Sequence, residues 1–311
     1  MWSVSEAKTF KRCPRQWFFK HRLASPKATK QADKREAYLL GTLQSVAAWR
    51  GQIVDKVLET VVVPGLMDRQ IVPREQVLAQ ARSIFDQQLA FARAKRYLEP
   101  GMTKTKAGVA FAGLLVIEEA GDISEPELVA AWDDVERAIK TLYANGSLWK
   151  KLKSARRLLA QRTLWHKLCD RQLRAIPDLI AFFHNEAPLI IDWKVHYAGN
   201  RDSSFQLETY ALALARDEKV DRDRRWKEAD IRLAEVQLLT GQVRHYRLTE
   251  ERVPEIENKI LASIAEIELC TEGQEREDLD PLTLPVTQYA ENCAACGFKK
   301  LCWSEPHDHR N

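Results

Sequence analysis

Three polar side chains inside an otherwise apolar stretch define the chemistry this chain could perform. Ile176-Pro177-Asp178 opens the stretch, and Leu189-Ile190-Ile191-Asp192-Trp193-Lys194 closes it. Side chains on a strand alternate between faces, so Asp192 and Lys194 share one side while Trp193 points to the other, into the core. A carboxylate within an apolar strand is costly unless it is paired, protonated or bound to a cation. One solution is a salt bridge to Lys194, with Asp178 capping a bend. The other is a hard divalent cation, Mg²⁺ or Mn²⁺, held by Asp178 and Asp192. Such a cation polarises a phosphate and lowers the pKa of bound water, which Lys194 would orient or help deprotonate. The second arrangement suits phosphodiester hydrolysis.

Cysteines form a second constellation. Cys293-Ala-Ala-Cys296 and Cys302 can wrap a metal or cluster in one loop, but three thiolates need a fourth ligand. His307 or His309 would complete a zinc site. Cys13, in Arg12-Cys13-Pro14-Arg15-Gln16-Trp17, is the alternative from the other end of the chain. Cys169 and Cys270 lack companions and read as ordinary thiols.

The elements that must position these groups change character along the chain. Residues 3–20 read as a helix with Ser3 or Ser5 as N-cap and Phe10, Trp17 and Phe18 as its buried face. A lysine-rich connection precedes a mostly helical stretch over 35–63, broken near Trp49-Arg50-Gly51 and ended by Pro64-Gly65. Residues 74–99 are helical by period. Ser124-Glu125-Pro126-Glu127 predicts a capping box, and that helix stops near Asn145-Gly146. After Ser154 the period becomes β-like: runs over 157–168 and 171–183 flank a Cys169-Asp170 hairpin, and a third strand carries Asp192 and Lys194. Asp202-Ser203-Ser204 starts a helix to about Asp217, with Gln206 and Tyr210 four apart on one face. Two further strands lie over 231–239 and 243–248, and a long helix over 249–270.

These residues resemble the PD-(D/E)XK nuclease superfamily. Pro177-Asp178 and Asp192-Trp193-Lys194 match its two core motifs, and Gln206-Leu-Glu-Thr-Tyr210 matches the Q-x-x-x-Y helix of the RecB-like branch. Gly51-Gln-Ile-Val-Asp55-Lys-Val-Leu-Glu59 resembles that branch's G-x-x-x-H-x-x-L/I-E helix, with Asp55 where histidine is usual. The resemblance implies that Asp55 is a third metal ligand, its oxygen tilting preference from Mn²⁺ towards Mg²⁺; a solvated helix residue is the other reading. It implies catalytic roles for Asp178, Asp192 and Lys194 and a supporting role for Gln206 and Tyr210. The cysteine pattern resembles the iron-sulfur nucleases of the AddB and CRISPR-adaptation type, which implies a [4Fe-4S] cluster on Cys13, Cys293, Cys296 and Cys302. A clasp closing so long a loop would contribute about 4–5 kcal/mol by analogy with a long disulfide loop.

The fold class expected is α/β: a restriction-endonuclease-like core, its mixed central sheet flanked by helices, with an inserted helical block and a terminus-joining iron-sulfur clasp. The expected divisions are an N-terminal helical part of the nuclease domain (1–65), a helical insertion (66–155), the catalytic core (156–270) and a cluster-binding segment (271–311). At 311 residues and 45% hydrophobic content a sizeable core is available. No run is long and apolar enough for a membrane span, and the first residues lack a signal-peptide core, so a cytoplasmic location is expected. A net charge of +4 is modest, yet basic residues crowd the first thirty positions, Lys27 and Lys30 among them. Lys8, Lys11, Arg12 and Arg15 are candidates to run along nucleic-acid phosphates. The expected partner is DNA, single-stranded or with free ends, and the expected activity that of an Mg/Mn-dependent deoxyribonuclease, an exonuclease. A degenerate nuclease fold that binds DNA or a partner protein without cleaving it is the alternative, with the helical insertion as docking surface.

Overall fold

The computed structural model describes residues 1–25, 31–196, 203–217, 219–220, 226–272, 274 and 279–302. Lys27, Lys30, Asp202, His307 and His309 lie outside the described residues. Helices run over Val4–Arg12 (α1), Pro14–Trp17 (α2), Ala32–Thr42 (α3), Val46–Val57 (α4), Val63–Met67 (α5), Arg74–Arg93 (α6), Lys104–Ala107 (α7), Leu115–Ala120 (α8), Glu125–Ala144 (α9), Gly146–Lys153 (α10), Ser204–Arg216 (α11), Val253–Cys270 (α12), Ala290–Ala294 (α13) and Lys299–Cys302 (α14). Strands run over Leu43–Gln44 (β1), Gly113–Leu114 (β2), Arg157–Ala160 (β3), Leu164–Leu168 (β4), Arg171–Ala175 (β5), Leu179–Phe182 (β6), Leu189–Lys194 (β7), Arg232–Gln237 (β8) and Val243–Arg247 (β9). Among the described residues no helix is long and apolar enough to cross a membrane.

The chain forms two compact units. The first comprises Met1–Val4, Ala47–Phe85 and Ser124–Ile260; the second comprises Ser5–Val46, Asp86–Ile123 and Leu261–Asn311. The stretch 66–155, expected as one inserted block, is thus shared between them.

The first unit is built on a five-stranded mixed sheet in the order β3-β6-β7-β8-β9. Among the described residues of this sheet only β7 and β8 pair in parallel. A parallel pair needs a crossover, and α11 supplies it, packing back on the sheet. Both β6 and β7 are buried almost throughout, as expected of inner strands covered on both faces. β4 and β5 form a separate hairpin. Cys169 in its turn adopts a left-handed φ of 49°, and Trp2 pairs through its backbone with Gln172 and Arg174 of β5. Trp49, fully buried on α4, packs on Phe85 at 4.4 Å between ring centroids.

In the second unit, Trp17 meets Phe10 edge-on at 5.3 Å, and its indole N–H donates to the buried Glu6 carboxylate at 3.1 Å. Phe298 stacks on Phe19 at 5.7 Å. A Cβ on Gly297 would lie 3.0 Å from the Leu40 carbonyl, so glycine eases this close approach of the C-terminal segment to α3.

Four local expectations are corrected. The helix over 3–20 breaks at Cys13, which is extended (φ −164°, ψ 110°) because a residue preceding proline is driven out of helical geometry; helical turns then resume and run to Leu23. The stretch 35–63 is not interrupted at Trp49-Arg50-Gly51, which lie inside α4. It breaks earlier, where β1 leaves to pair with β2. Pro64 does not end the helix: wider turns over Leu58–Val62 absorb the missing N–H and the ring clash, and α5 continues to Met67. Ser124 caps α9 by position but makes no side-chain capping bond.

Candidate active site

Every residue of the proposed catalytic set falls within the first unit. Asp192 lies on β7 at 2% exposure. Its Oδ2 pairs with the Lys194 ammonium, two residues on and on the same face, and its Oδ1 accepts from Gln206 Nε2 at 2.9 Å. The same amide lies 2.9 Å from the Tyr210 hydroxyl, so one turn of α11 carries both groups to the strand. Asp178 enters from the loop before β6. Its Oδ2 accepts the backbone N–H of Trp193 at 2.9 Å and its Oδ1 the amide of Gln161 at 3.1 Å. The ring of Trp193 is buried on the opposite side, as alternation requires.

The acids sense one another. Burial, and then the charge of Asp192, push Asp178 up to about 7; the Trp193 N–H, Lys194 and Gln161 pull the other way. Asp55, half-buried on α4, is also raised, first by burial and then by Asp178 and Asp192, with Lys194 opposing and Glu59 adding to the rise. Burial would lower the Lys194 ammonium, but Asp192 and then Asp178 outweigh it and hold it above its ordinary value. Tyr210 is held well above the usual phenol range, by burial first and then by Asp192 and Asp178. Three carboxylates thus feel one another's charge with the Lys194 ammonium acting on all of them, a set of hard oxygen donors. Among the described residues no three His, Cys, Asp or Glu side chains stand gathered as a ready-formed metal site. The donor chemistry nevertheless fits a divalent cation.

Sequence reasoning missed three neighbours. Gln161, which orients Asp178, sits in an irregular turn with a φ of 50° and carries no pattern. Glu235 and Gln237 on β8 lie in register with Asp192 and Lys194, each 1% exposed, with Gln237 Nε2 donating to Glu235 Oε1 at 2.7 Å. Glu235 was readable, being an acid in the apolar run Leu233-Ala234-Glu235-Val236, the same anomaly that singled out Asp192.

In the second unit, Cys13, Cys293, Cys296 and Cys302 line one cavity of about 70 Å³. All are free thiols. Burial first, then the nearby sulfurs of Cys13 and Cys302, push the Cys293 thiol up; burial first also pushes up the half-buried Cys296 thiol, countered by the Phe298 N–H and reinforced by the sulfurs of Cys13, Cys302 and Cys293. Four sulfurs at one cavity fit a thiolate-bound metal or cluster. Cys169 is exposed and Cys270 half-buried, both apart from this cavity. Lys8, Lys11 and Arg12 are exposed on α1. Arg15, expected beside them on a phosphate path, is instead turned inward: its guanidinium donates to the carbonyls of Leu282 at 3.0 Å and Leu284 at 3.0 Å. Trp17 and Phe18 are core.

Among solved structures the chain is similar to SSO0001, at 10% identity and a TM-score of 0.30 over 72% of this chain and 86% of that one. A protein of Eubacterium rectale that carries a provisional exonuclease description gives 10% and 0.31 over 75% and 82%. VC1899 of Vibrio cholerae gives 11% and 0.25 over 72% and 56%. No curated protein matches the chain. The family model of the PD-(D/E)XK nuclease superfamily matches residues 1–303, nearly the whole sequence, and the chain belongs to that superfamily.

Proposed function

We propose that this protein is a metal-dependent deoxyribonuclease acting on single-stranded DNA or DNA ends, as an exonuclease of the RecB-like, iron-sulfur type. The observation that carries the reading is Asp192, buried and held from two sides by Lys194 and Gln206, with its charge felt by Asp178 and Asp55. Asp55, Asp178 and Asp192 are the groups that would hold Mg²⁺ or Mn²⁺. When bound, such a cation supplies Lewis-acid polarisation of the phosphate and acidifies water.

The protein's own residues do the rest. The Trp193 N–H and Gln161 fix the Asp178 carboxylate, so its orientation does not depend on substrate. Gln206 fixes Asp192, and Tyr210 anchors Gln206. Lys194 keeps its proton while Asp192 faces it, and its ammonium is the group that positions the attacking water at the scissile phosphate. Lys8, Lys11 and Arg12 offer a basic helix face to phosphates. Cys13, Cys293, Cys296 and Cys302 would hold a [4Fe-4S] cluster, which supplies a clasp between sequence-distant segments of the second unit.

Cleavage of end-labelled single and double strands in Mg²⁺ and in Mn²⁺ tests the reading, with Asp192→Ala and Lys194→Ala as controls. Loss of cleavage in both variants is expected. Equal cleavage by wild type and variants overturns it, and tight single-strand binding without cleavage in either metal identifies a non-catalytic module.

A further inference from the structure

The two residues that follow Cys13 and Pro14 aim nitrogen at sulfur. Gln16 Nε2 donates to Cys296 Sγ at 3.4 Å, and the Gln16 backbone N–H donates to Cys13 Sγ at 3.4 Å. Arg15 Nη1 donates to Cys302 Sγ at 3.7 Å. Three of the four sulfurs at the cavity thus have an N–H donor from one short segment, α2.

Neither side chain is there for general packing. The Gln16 amide oxygen is buried without a hydrogen-bond partner, an arrangement that costs free energy and is tolerated where the amide's other end has a use. Arg15 combines its sulfur contact with a fork onto the Leu282 and Leu284 carbonyls, while its own backbone N–H donates to Pro285 O at 3.3 Å. The guanidinium therefore ties the loop before α13 to α2 and places positive charge against the Cys302 sulfur of α14. The pre-proline bend makes this possible: with Cys13 extended, its sulfur caps α2, Gln16 lines the same cavity and Arg15 reaches the Cys302 sulfur.

We propose that Arg15 and Gln16 are positioning residues of the four-cysteine centre, donating hydrogen bonds to Cys302 and Cys296 that retain the cluster and raise its reduction potential. The inference rests on the [4Fe-4S] reading of that centre. Hydrogen bonds and positive charge near cluster sulfurs stabilise the more negative, reduced state, and partners one step out from metal ligands commonly govern metal retention. It also assigns Arg15 to the cluster rather than to the nucleic acid.

The test uses the full chain purified anaerobically as wild type, Gln16→Leu, Arg15→Met and Arg15→Lys. Iron and sulfide per chain, the rate of visible bleaching with ferricyanide and EDTA, and the midpoint potential are measured. Gln16→Leu is expected to load its cluster but bleach about 10- to 100-fold faster, at a more negative potential. Arg15→Lys, which keeps the charge but loses the fork, is expected to fall between wild type and Arg15→Met. Should the Arg15 variants fail to fold, Gln16→Leu decides, because its side chain reaches sulfur without tying down a loop. Wild-type rate and potential in Gln16→Leu, with the cluster present, overturn the positioning role and leave the cluster reading standing. Zinc, or no metal, in the wild type overturns the cluster reading itself.

Discussion

Asp178→Asn separates the cost of the acidic pocket from its use. In the metal-free protein Asp178 is raised from 3.8 to about 7, by burial first and then by the charge of Asp192. For an acid raised by folding, the favourable state is the protonated one. Its contribution to stability is intact below the ordinary carboxylate pKa and lost as pH climbs through the folded value, so the window runs from about pH 4 to pH 7. A rise of roughly three units corresponds to at most about 4 kcal/mol at pH 8. Asparagine removes that penalty but has one carbonyl for two donors, Trp193 N–H and Gln161 Nε2, and forfeits about 1 kcal/mol of hydrogen bonding. The net expectation is a gain of about 1–3 kcal/mol at pH 8, shrinking to nothing or reversing below pH 4. Cation addition should invert the order: at a hundred times its dissociation constant Mg²⁺ stabilises wild type by about 2.7 kcal/mol, and the variant, missing a ligand, by much less. Thermal melts with EDTA and with Mg²⁺ across pH 4–8 measure both effects. The reasoning is refuted if Asp178→Asn melts below wild type at pH 8 in EDTA, or if Mg²⁺ raises both melting temperatures equally.

Other substitutions probe separate parts of the argument. Glu6, buried and raised chiefly by desolvation, loses its favourable protonated state as pH rises above the ordinary glutamate range; Glu6→Gln keeps an acceptor for the Trp17 N–H and should melt higher at pH 7 but not at pH 4. An added Cβ at Gly51 meets nothing within 4 Å, so Gly51→Ala, inside α4, should stabilise by about 0.5–1 kcal/mol in urea melts. Arg252, itself partly exposed, binds the buried Glu208 of α11 through two bonds, of 2.9 and 3.0 Å; Arg252→Met removes both and should cost about 1–3 kcal/mol in the same assay. Gln206→Ala strips a donor from the buried Asp192 carboxylate and should cost about 1–3 kcal/mol in the same assay, while cleavage falls because Asp192 loses its orientation.

Alternation on a strand was enough to place Asp192 and Lys194 on one face and Trp193 in the core, because a fixed two-residue period allows only one assignment once one face is buried. The hairpin at Cys169-Asp170 and the helix bearing Gln206 and Tyr210 were legible for similar reasons: a turn and a cap each leave local marks. The break at Cys13 was equally local and follows from Pro14 alone. The pairing of β1 with β2 was not legible. It joins two-residue segments about seventy positions apart, and nothing short-range marks either one. The division into two units escaped for the same reason, since Ala47–Phe85 and Ser124–Ile260 cohere only through tertiary contacts. Gln161 belongs with these: it becomes a partner of Asp178 only when β3 and β6 pair.

The register of β7 with β8 extends the reasoning one step further. An in-register parallel neighbour puts Glu235 beside Asp192 and Gln237 beside Lys194, so the acid that sequence singled out sits next to a second buried acid. Glu235 has its own compensation, in Gln237 at 2.7 Å and Arg244 at 3.7 Å. Asp192 acts by its charge on Asp178 and Asp55, and the Lys194 ammonium acts on all three and also feels Glu235. The anomaly of an acid in an apolar strand is thus common to both residues, and the difference lies in their neighbours: Glu235 meets Gln237 and Arg244 within the sheet, whereas Asp192 faces two further carboxylates. It is this crowding of acids, rather than the acid-x-lysine spacing, on which the proposal of a cation in place of a simple strand salt bridge rests.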